Sequence, residues 1–464
     1  MRPSIVRKFI LPRLMRRTWP AVQRLHRELE KSQWEEPART RELQWERVRE
    51  MVALAARKSP FHRERFAEAA FDPGSLNGPE DLRRIPILEK KDLQQNRDRI
   101  LIESVDPDQV TLSGTGGTTG EPTQYYWDDD YWCHSTAVSL RAYGFADFQV
   151  GDRHCMVWGT SFHKQKGSAL RETLEHRLKN LLVVPGFELS SESMAVWAEK
   201  VARWEPSLVE GYTSLLTLFG SHLIENGITN IRPRSVVSSA EKLHGFQRKI
   251  ISKAFGAPVF DRYGTREVGC IAHECNTGEG LHINAEHVYL EAVHGDDPVA
   301  PGESGELLVT SLSNQVFPFI RYRIGDVGAL LPDACSCGRG LPLLALTEGR
   351  VHDLLTTARG TWLPGEFFPH LFKDFTGVRT FQVHQSRDLT VAIKIVQTPE
   401  WTPAQEERYK TEIRKVMGAG LDVRYDYLDQ IEPGPSGKLH FTRSDYPVDL
   451  ASGEEESVVP ESDA

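Results

Sequence analysis

Thr111-Leu-Ser-Gly-Thr-Gly-Gly-Thr-Thr-Gly-Glu-Pro-Thr123 packs glycines and hydroxyl side chains into one short stretch, a composition suited to holding phosphate groups. Glycine lets backbone N–H groups approach phosphate oxygens closely. Ser113, Thr115, Thr118 and Thr119 add hydroxyl donors around Gly116, Gly117 and Gly120. No Lys-Ser or Lys-Thr pair follows Gly120, so the Walker arrangement, with lysine on the phosphates and a hydroxyl on magnesium, is excluded. A stretch of this kind is more often a surface loop than a phosphate cradle. The fold therefore turns on whether distant segments agree with it.

Three do. Val259-Phe-Asp-Arg-Tyr-Gly-Thr-Arg-Glu-Val-Gly269 reads as a strand that ends in a turn displaying a ring, a hydroxyl and a carboxylate. Tyr263 and Gly264 lie at its end; Tyr263 can stack on a purine, Thr265 can bond a phosphate or an adenylate, and Glu267 can hold magnesium, which prefers carboxylate and phosphate oxygens. In Phe319-Ile-Arg-Tyr-Arg-Ile-Gly-Asp-Val-Gly328, Asp326 follows a glycine after a strand, a place from which it can accept hydrogen bonds from ribose hydroxyls. In Gly434-Pro-Ser-Gly-Lys-Leu439, flexible residues surround Lys438. Each segment alone reads equally well as an ordinary surface turn.

The surrounding pattern is that of an α/β protein. Between residues 152 and 330, β-rich runs such as His154-Cys-Met-Val-Trp158 and Ser235-Val-Val-Ser238 alternate with helical patterns over 193–204 and 245–255. Residues 6–69 carry apolar positions at helical spacing among many Arg and Glu. The first of these helices is basic, with Arg7, Lys8, Arg13, Arg16, Arg17 and Arg24, and is expected to present a solvated face in preference to a membrane-surface one. After residue 350 the pattern restarts as strand, strand, helix, strand, a small α+β unit. The expected division is 1–70 as a helical segment packed on the body, 71–348 as the main domain, 349–353 as a hinge, 354–448 as the small domain and 449–464 as a disordered acidic tail.

Composition narrows the function. With 464 residues the chain has room for several subdomains and a sizeable buried site. Hydrophobic residues make up 39%, charged residues 26%, and the net charge is −9, which gives no global electrostatic reason to bind nucleic acid. No apolar run has the length of a transmembrane segment, and a cytoplasmic location is expected. Six cysteines at uneven spacing do not make a disulfide framework.

Taken in chain order, the four segments resemble the adenylate-forming superfamily of acyl-CoA synthetases, adenylation domains and luciferases. Ala55-Ala-Arg-Lys-Ser-Pro-Phe-His-Arg63, Ser238-Ser-Ala-Glu-Lys-Leu243 and Cys335-Ser-Cys-Gly-Arg339 narrow the resemblance to the phenylacetate-CoA ligase and CapK-like family. The resemblance implies a large multi-subdomain N-terminal α/β body of the adenylate-forming type with a small mobile C-terminal α+β domain. It also implies a carboxylic acid, ATP and Mg2+ as reactants of an acyl-adenylate step, followed by capture on CoA. The alternatives are transfer to a carrier-protein thiol or an amine, and a non-catalytic nucleotide-binding relative. By the same resemblance, the hydroxyls and glycines of 113–120 grip phosphates, and Ser239, Ala240 and Glu241 line the adenine and acyl pockets. Tyr263 stacks on adenine, Glu267 binds magnesium, Asp326 and Arg350 hold the ribose, and Lys438 bridges the acyl carboxylate and the α-phosphate. Glu121 stands where many relatives carry lysine, Gly116 where serine is usual, and His352 where an acidic residue is common. Neither the acid nor the oligomeric state is readable from the residues; Trp158, Phe162 and Tyr212 can line an aromatic pocket or pack in the core.

Cys275, His282, Cys335 and Cys337 fall in two turns that can supply four thiolate and imidazole ligands to a structural Zn2+, with Cys270 and His273 as competing ligands. Four reduced thiols packed in loops is the other reading, and a similar pattern in some CapK-like relatives favours the metal. Four protein ligands leave no open position, so a zinc here is expected to brace the fold and take no part in catalysis.

Overall fold

The structure, a computed structural model, describes residues 2–115, 123–158, 169–185, 191–348, 354–358, 362–364, 367–372, 377–418, 420–429, 431 and 442–445. Gly116 to Glu121, Phe162, Arg350, His352, Asp353 and Lys438 therefore lie outside the described residues.

The chain opens with helices, including Trp19–Ser32, Pro37–Lys58 and Pro60–Glu68. Pro60 drives the residue before it out of the helical region, so the second of these stops at Ser59 (φ −98°, ψ 116°). The Ser59 hydroxyl then accepts the His62 N–H at 3.4 Å and caps the next helix. One four-residue punctuation thus ends one helix and starts another.

Two strands follow, β1 (Thr111–Thr115) and β2 (Thr123–Trp127), paired antiparallel from Thr111 opposite Trp127 to Thr115 opposite Thr123. The stretch read as a loop therefore has strand legs. Its β-branched and aromatic residues favour a pleated ladder, and Gly114 fits because a Cβ there would stand 3.3 Å from the Thr123 carbonyl.

The body is a twelve-stranded sheet in two halves. In the first half, β3 (His154–Trp158), β4 (Leu181–Pro185), β5 (Leu208–Tyr212), β6 (Ser235–Ser239) and β7 (Val259–Thr265) run parallel in the order β4-β3-β5-β6-β7. The helices Ala169–Leu178, Ser191–Trp204, Thr213–Glu225 and Gly245–Phe255 make the crossovers. β5 and β6 are buried at every residue, as strands covered on both faces must be. The alternation expected from sequence at His154–Trp158, 193–204, Ser235–Ser238 and 245–255 is present in these elements.

At β7 the direction changes. β8 (Gly269–Glu274) pairs antiparallel with it, and β9 (Leu281–Ile283), β10 (Val288–His294), β11 (Asp297–Pro298), β12 (Ser304–Ser311), β13 (Tyr322–Leu331) and β14 (Leu343–Glu348) complete the sheet in the order β8-β9-β14-β13-β12-β10-β11. Separate apolar cores pack on the two halves, one around Phe219, Phe255 and Trp197, the other around Phe317, Phe319 and Ile271. Among the described residues after 350, β15 (Leu354–Thr356) pairs with β16 (Trp362–Pro364). β17 (Val378–Gln385), β18 (Val391–Gln397), β19 (Val423–Leu428) and β20 (Thr442–Ser444) form a sheet of order β19-β18-β17-β20, with Tyr409, Ile413 and Met417 of helix Pro403–Met417 in its core.

Asp326 differs from its sequence reading: it lies inside β13, not after a strand. Against Glu306 and Leu308 of β12, the partner residues on β13 are Val327 and Arg323, so Ile324, Gly325 and Asp326 form a bulge. Gly325 has φ 89°, which glycine adopts at no steric cost, and the bulge re-aims the Asp326 side chain.

Candidate functional site

The ends of the parallel strands in an open α/β sheet are where ligands bind, and here β7 is also the seam between the two halves. Tyr263 sits near the end of β7 and its Oη donates to Asp326 Oδ2 at 2.8 Å, so the bulge on β13 and the last residues of β7 meet. Gly264 follows because β8 crosses closely; a Cβ on it would stand 2.3 Å from the Gly269 carbonyl. Thr265 Oγ1 accepts the Val268 N–H at 3.3 Å and closes the turn that displays Glu267. Tyr322 Oη donates to Glu267 Oε1 at 3.3 Å, and Tyr131 Oη donates to the Glu267 carbonyl at 3.2 Å. Two residues assigned from sequence, Tyr263 and Asp326, are thus in direct contact, and Glu267 is held by a neighbour on the same strand as Asp326.

The hairpin is tied to this turn. Tyr125 Oη donates to the Arg266 carbonyl, and burial pushes the Tyr125 phenol up to about 12, so it stays a neutral donor at any physiological pH. Ser113 lies opposite Tyr125 in the ladder. The two strands β1 and β2 are therefore anchored next to Glu267.

Ser239 ends β6, and Ala240 and Glu241 follow it. Ser239 Oγ accepts from Arg262 Nη1 at 3.2 Å. Ala240 takes φ 70°, an uncommon conformation for a residue with a Cβ, and it turns the chain back over the helix that follows β5. Glu241 was expected among the groups lining the nucleotide; its carboxylate instead accepts the Ser214 N–H at 2.7 Å and the Ser214 hydroxyl at 2.9 Å. It caps helix Thr213–Glu225, where a negative charge is favoured by the exposed N–H groups. Thr213 Oγ1 donates to the Glu241 carbonyl at 2.9 Å and completes the clasp.

Beneath these residues lies a polar group that sequence reasoning left unassigned. Glu210 on β5 is 1% exposed. Tyr143 Oη donates to it at 2.9 and 3.1 Å, His154 Nε2 lies 3.2 Å away, and Arg262 Nη1 3.9 Å away. Burial opposes its charge, but His154, Arg262 and Tyr143 outweigh burial and hold the carboxyl below its usual range. Arg262 thereby links Glu210 to Ser239, bracing the ends of three adjacent strands. Its position beside Tyr263 was the one signal available in the sequence. Asp261, next in the strand, is pushed up to about 7 by burial and then by the charge of Glu274. At the ends of β3 and β5, Trp158 and Tyr212 meet edge to face with centroids 4.5 Å apart.

The cysteines form a second site. The ligand atoms of Cys275, His282, Cys335 and Cys337 all lie within 4.8 Å of one another. Cys275 Sγ is 3.7 Å from Cys335 Sγ, and Cys337 Sγ is 3.4 Å from His282 Nε2. Tetrahedral zinc with Zn–S of about 2.3 Å and Zn–N of about 2.0 Å requires S···S and S···N edges of roughly 3.7 and 3.5 Å. The donor set fits. Both turns are built alike: the Gly278 N–H reaches the Cys275 carbonyl and the Gly338 N–H the Cys335 carbonyl, each at 3.2 Å, with both glycines at positive φ. Burial, then Arg339, lowers His282 to about 4 and keeps its ring neutral, as a ligand must be. Cys270 and His273 are not part of this set. The Cys270 sulfur lies 3.5 Å from Asn284 Nδ2, and His273 Nδ1 bonds the Glu274 carbonyl at 2.7 Å.

The CapK C-terminal domain family matches residues 355–445. The phenylacetate-coenzyme A ligase of Pseudomonas putida is 27% identical over 361 residues, covering 75% of this chain and 79% of that protein. Protein CapK of Staphylococcus aureus is 25% identical over 294 residues, covering 61% and 62%. A crystal structure of 2-hydroxyisobutyryl-CoA ligase in complex with 2-HIB-AMP and CoA aligns over 89% of this chain and 91% of its own, with a TM-score of 0.62 and 20% identity, and so shares the fold. Residues 355–445 thus match the CapK C-terminal domain, and the chain as a whole is similar to the phenylacetate-CoA ligases and to CapK and shares the fold of an acyl-CoA ligase.

Proposed function

We propose that the protein is an AMP-forming acid–thiol ligase that joins a carboxylic acid to CoA through an acyl-adenylate. The carrying observation is the contact of Tyr263 with Asp326 beside the Glu267 turn, at the seam just beyond the parallel strands. The names of its relatives, ligases of acids with CoA, support the same reading. In the first half-reaction an oxygen of the acid attacks the α-phosphorus of ATP and pyrophosphate leaves. In the second the thiol sulfur attacks the acyl carbon and AMP leaves.

The physical difficulty of the first step is bringing a carboxylate to a polyanion and holding the two in line. Thr115, Thr118, Thr119 and the glycines between and after them grip the phosphates that depart. Glu267 holds magnesium, which neutralises phosphate charge. Tyr263 lies against adenine, Asp326 and Arg350 take the ribose hydroxyls, and Lys438 bridges the acid carboxylate and α-phosphate. Ser239 and Ala240 line the adenine and acyl pockets, with Glu241 positioning them through its helix cap. Residues 349–353 act as the hinge between a body of 71–348 and a small domain of 354–448, whose rotation withdraws Lys438 once the adenylate has formed. Cys275, His282, Cys335 and Cys337 hold a structural zinc. The enzyme works in the cytoplasm.

Acid-dependent ATP–pyrophosphate exchange across aromatic, fatty and amino acids tests the reading. One acid class should support exchange, and Lys438→Ala should abolish it by several orders of magnitude while the fold is kept. Exchange that survives Lys438→Ala removes the role given to that lysine. No exchange with any acid favours a nucleotide-binding relative. Capture of the product by CoA, and not by an amine or a carrier protein, identifies the acceptor.

A further inference from the structure

The N-terminal helix has two apolar sides, and only one is covered. It is α-helical at Pro3–Ile5, π-helical at Val6–Ile10 and α-helical again at Leu11–Leu14. In the wide turn the Leu11 N–H bonds the Val6 carbonyl, so residues five apart share a face. Val6 and Leu11 are accordingly buried together, 0% and 8% exposed, in a core with Trp19, Val22 and Val138. The start of the helix is seated on Gly151, where a Cβ would come within 2.6 Å of the Pro3 carbonyl. The segment is therefore docked on the body.

Its outer side is not what a solvated face requires. Ile5, Phe9 and Leu14 are 42%, 52% and 42% exposed. Of the nine large hydrophobics exposed among the described residues, these three fall within ten positions, so they form a patch. Arg2, Arg7, Lys8, Arg13, Arg16 and Arg17 are exposed around them. No Asp or Glu occurs before Glu28, although the whole chain has a net charge of −9. The Arg13 guanidinium lies 5.9 Å from the Phe9 ring centre and donates to the Phe9 carbonyl at 2.9 Å, so cation and ring share one surface. The nearest compensating group is Asp129, 4.0 Å from Arg17, both well exposed.

We propose that this face docks the enzyme on an anionic phospholipid membrane, lying in the interface without crossing it. Ile5, Phe9 and Leu14 enter the boundary between headgroups and acyl chains, and the six cations meet lipid phosphates at the anionic surface. Charge complementarity selects this occupant, and the apolar residues distinguish it from a nucleic acid, which would use the cations alone. No helix of the described chain is long and apolar enough to span a membrane, which fits a surface attachment.

The test is sedimentation of the full chain with phosphatidylcholine vesicles, with and without phosphatidylglycerol. The protein should bind the anionic vesicles, bind neutral ones weakly, and be released by salt. The double variant Phe9→Ser, Leu14→Ser should lower vesicle binding by roughly tenfold or more. The triple variant Arg13→Gln, Arg16→Gln, Arg17→Gln should lower it similarly. All these positions are exposed, so melting temperature and exchange activity should not move. Absence of vesicle binding overturns the proposal, as does equal binding to neutral and anionic vesicles. Binding to duplex DNA that matches vesicle binding and ignores Phe9→Ser overturns it in favour of a polyanion site. Self-association abolished by Phe9→Ser, without vesicle binding, overturns it in favour of a second copy.

Discussion

His62 shows how much one side chain can reveal that its sequence neighbourhood does not. It is completely buried between Phe61 and Phe66; its Nε2 meets the Pro318 carbonyl at 2.9 Å and its Nδ1 faces Arg65 Nη1 at 3.2 Å. A carbonyl needs a donor and a guanidinium needs an acceptor, so only the neutral ring with its proton on Nε2 satisfies both. Burial, then the Arg65 charge, lowers its pKa to about 3. The unfolded ring titrates near 6.5, so the folded form loses stability as pH falls below that value, continuing down toward 3. This single group is worth on the order of 4 kcal/mol across that window. Chemical denaturation at a series of pH values should show the decline, and His62→Gln, which cannot gain the charge, should flatten it. An unchanged slope would place the acid sensitivity in other buried histidines. The sequence offered His62 only as part of Ala55–Arg63, a family marker, because one of the two groups that fix its tautomer, the Pro318 carbonyl, lies 256 residues away. The cap made by Glu241 was hidden for a similar reason: its partner is the N–H of Ser214, in the first turn of helix Thr213–Glu225 and 27 residues away in the chain. Tyr263, Glu267 and Asp326 stood out in the sequence because glycines neighbour them, and the structure brings Tyr263 and Asp326 into contact.

At the scale of elements, one ion pair attaches the first long helix to the body. Arg141 is fully buried and donates to both Glu286 oxygens at 2.8 and 2.9 Å; its Nη1 also reaches the Leu29 carbonyl at 3.3 Å, in helix Trp19–Ser32. Ser32 donates to the same carboxylate at 2.5 Å. Burial opposes the charge on Glu286, yet the guanidinium beside it holds the carboxyl down to about 2. Glu286→Gln leaves Arg141 buried without its counter-charge, facing only neutral acceptors, and should cost about 3 to 5 kcal/mol in urea unfolding. Amide exchange should quicken first in Trp19–Ser32; uniform quickening across the body would show that the pair serves the body alone. The strands and helices of the body were readable as β-rich runs alternating with helical patterns, as at β3 and β6. The bulge in β13 was not, since an inserted residue alters pairing without altering alternation.

For the whole molecule, the cysteine turns matter because they couple distant parts of the chain. Arg339, directly after Cys337 and Gly338, donates to Gln33 Oε1 at 2.9 Å and lies 4.7 Å from the Trp34 ring centre and 4.3 Å from that of Phe145. The Gly340 N–H bonds the Gln33 carbonyl at 2.9 Å, in an approach so close that no Cβ could be accommodated. Protein purified without chelator should carry about one equivalent of zinc. Chelation or Cys335→Ser should lower the melting temperature and expose Trp34 further to a fluorescence quencher, with exchange activity affected less than stability. Metal-free protein with an unchanged melting curve would leave three packed thiols beside a neutral histidine as the answer. These four were named from sequence with Cys270 and His273 as competitors of the same chemistry, and the pairing of β8, β9 and β14 separates the two sets.

The seam at β7 has a consequence for how the protein comes into being. Residues from β3 to β7 can assemble their parallel strands as they follow one another along the chain, and those from β8 to β14 their antiparallel ones. Tyr263 belongs to the first set and Asp326 to the second, 63 residues on. A nascent chain that has finished the first half therefore holds half a site. Held by Tyr263 and Asp326 as proposed, a nucleotide would stabilise the completed sheet and neither half alone.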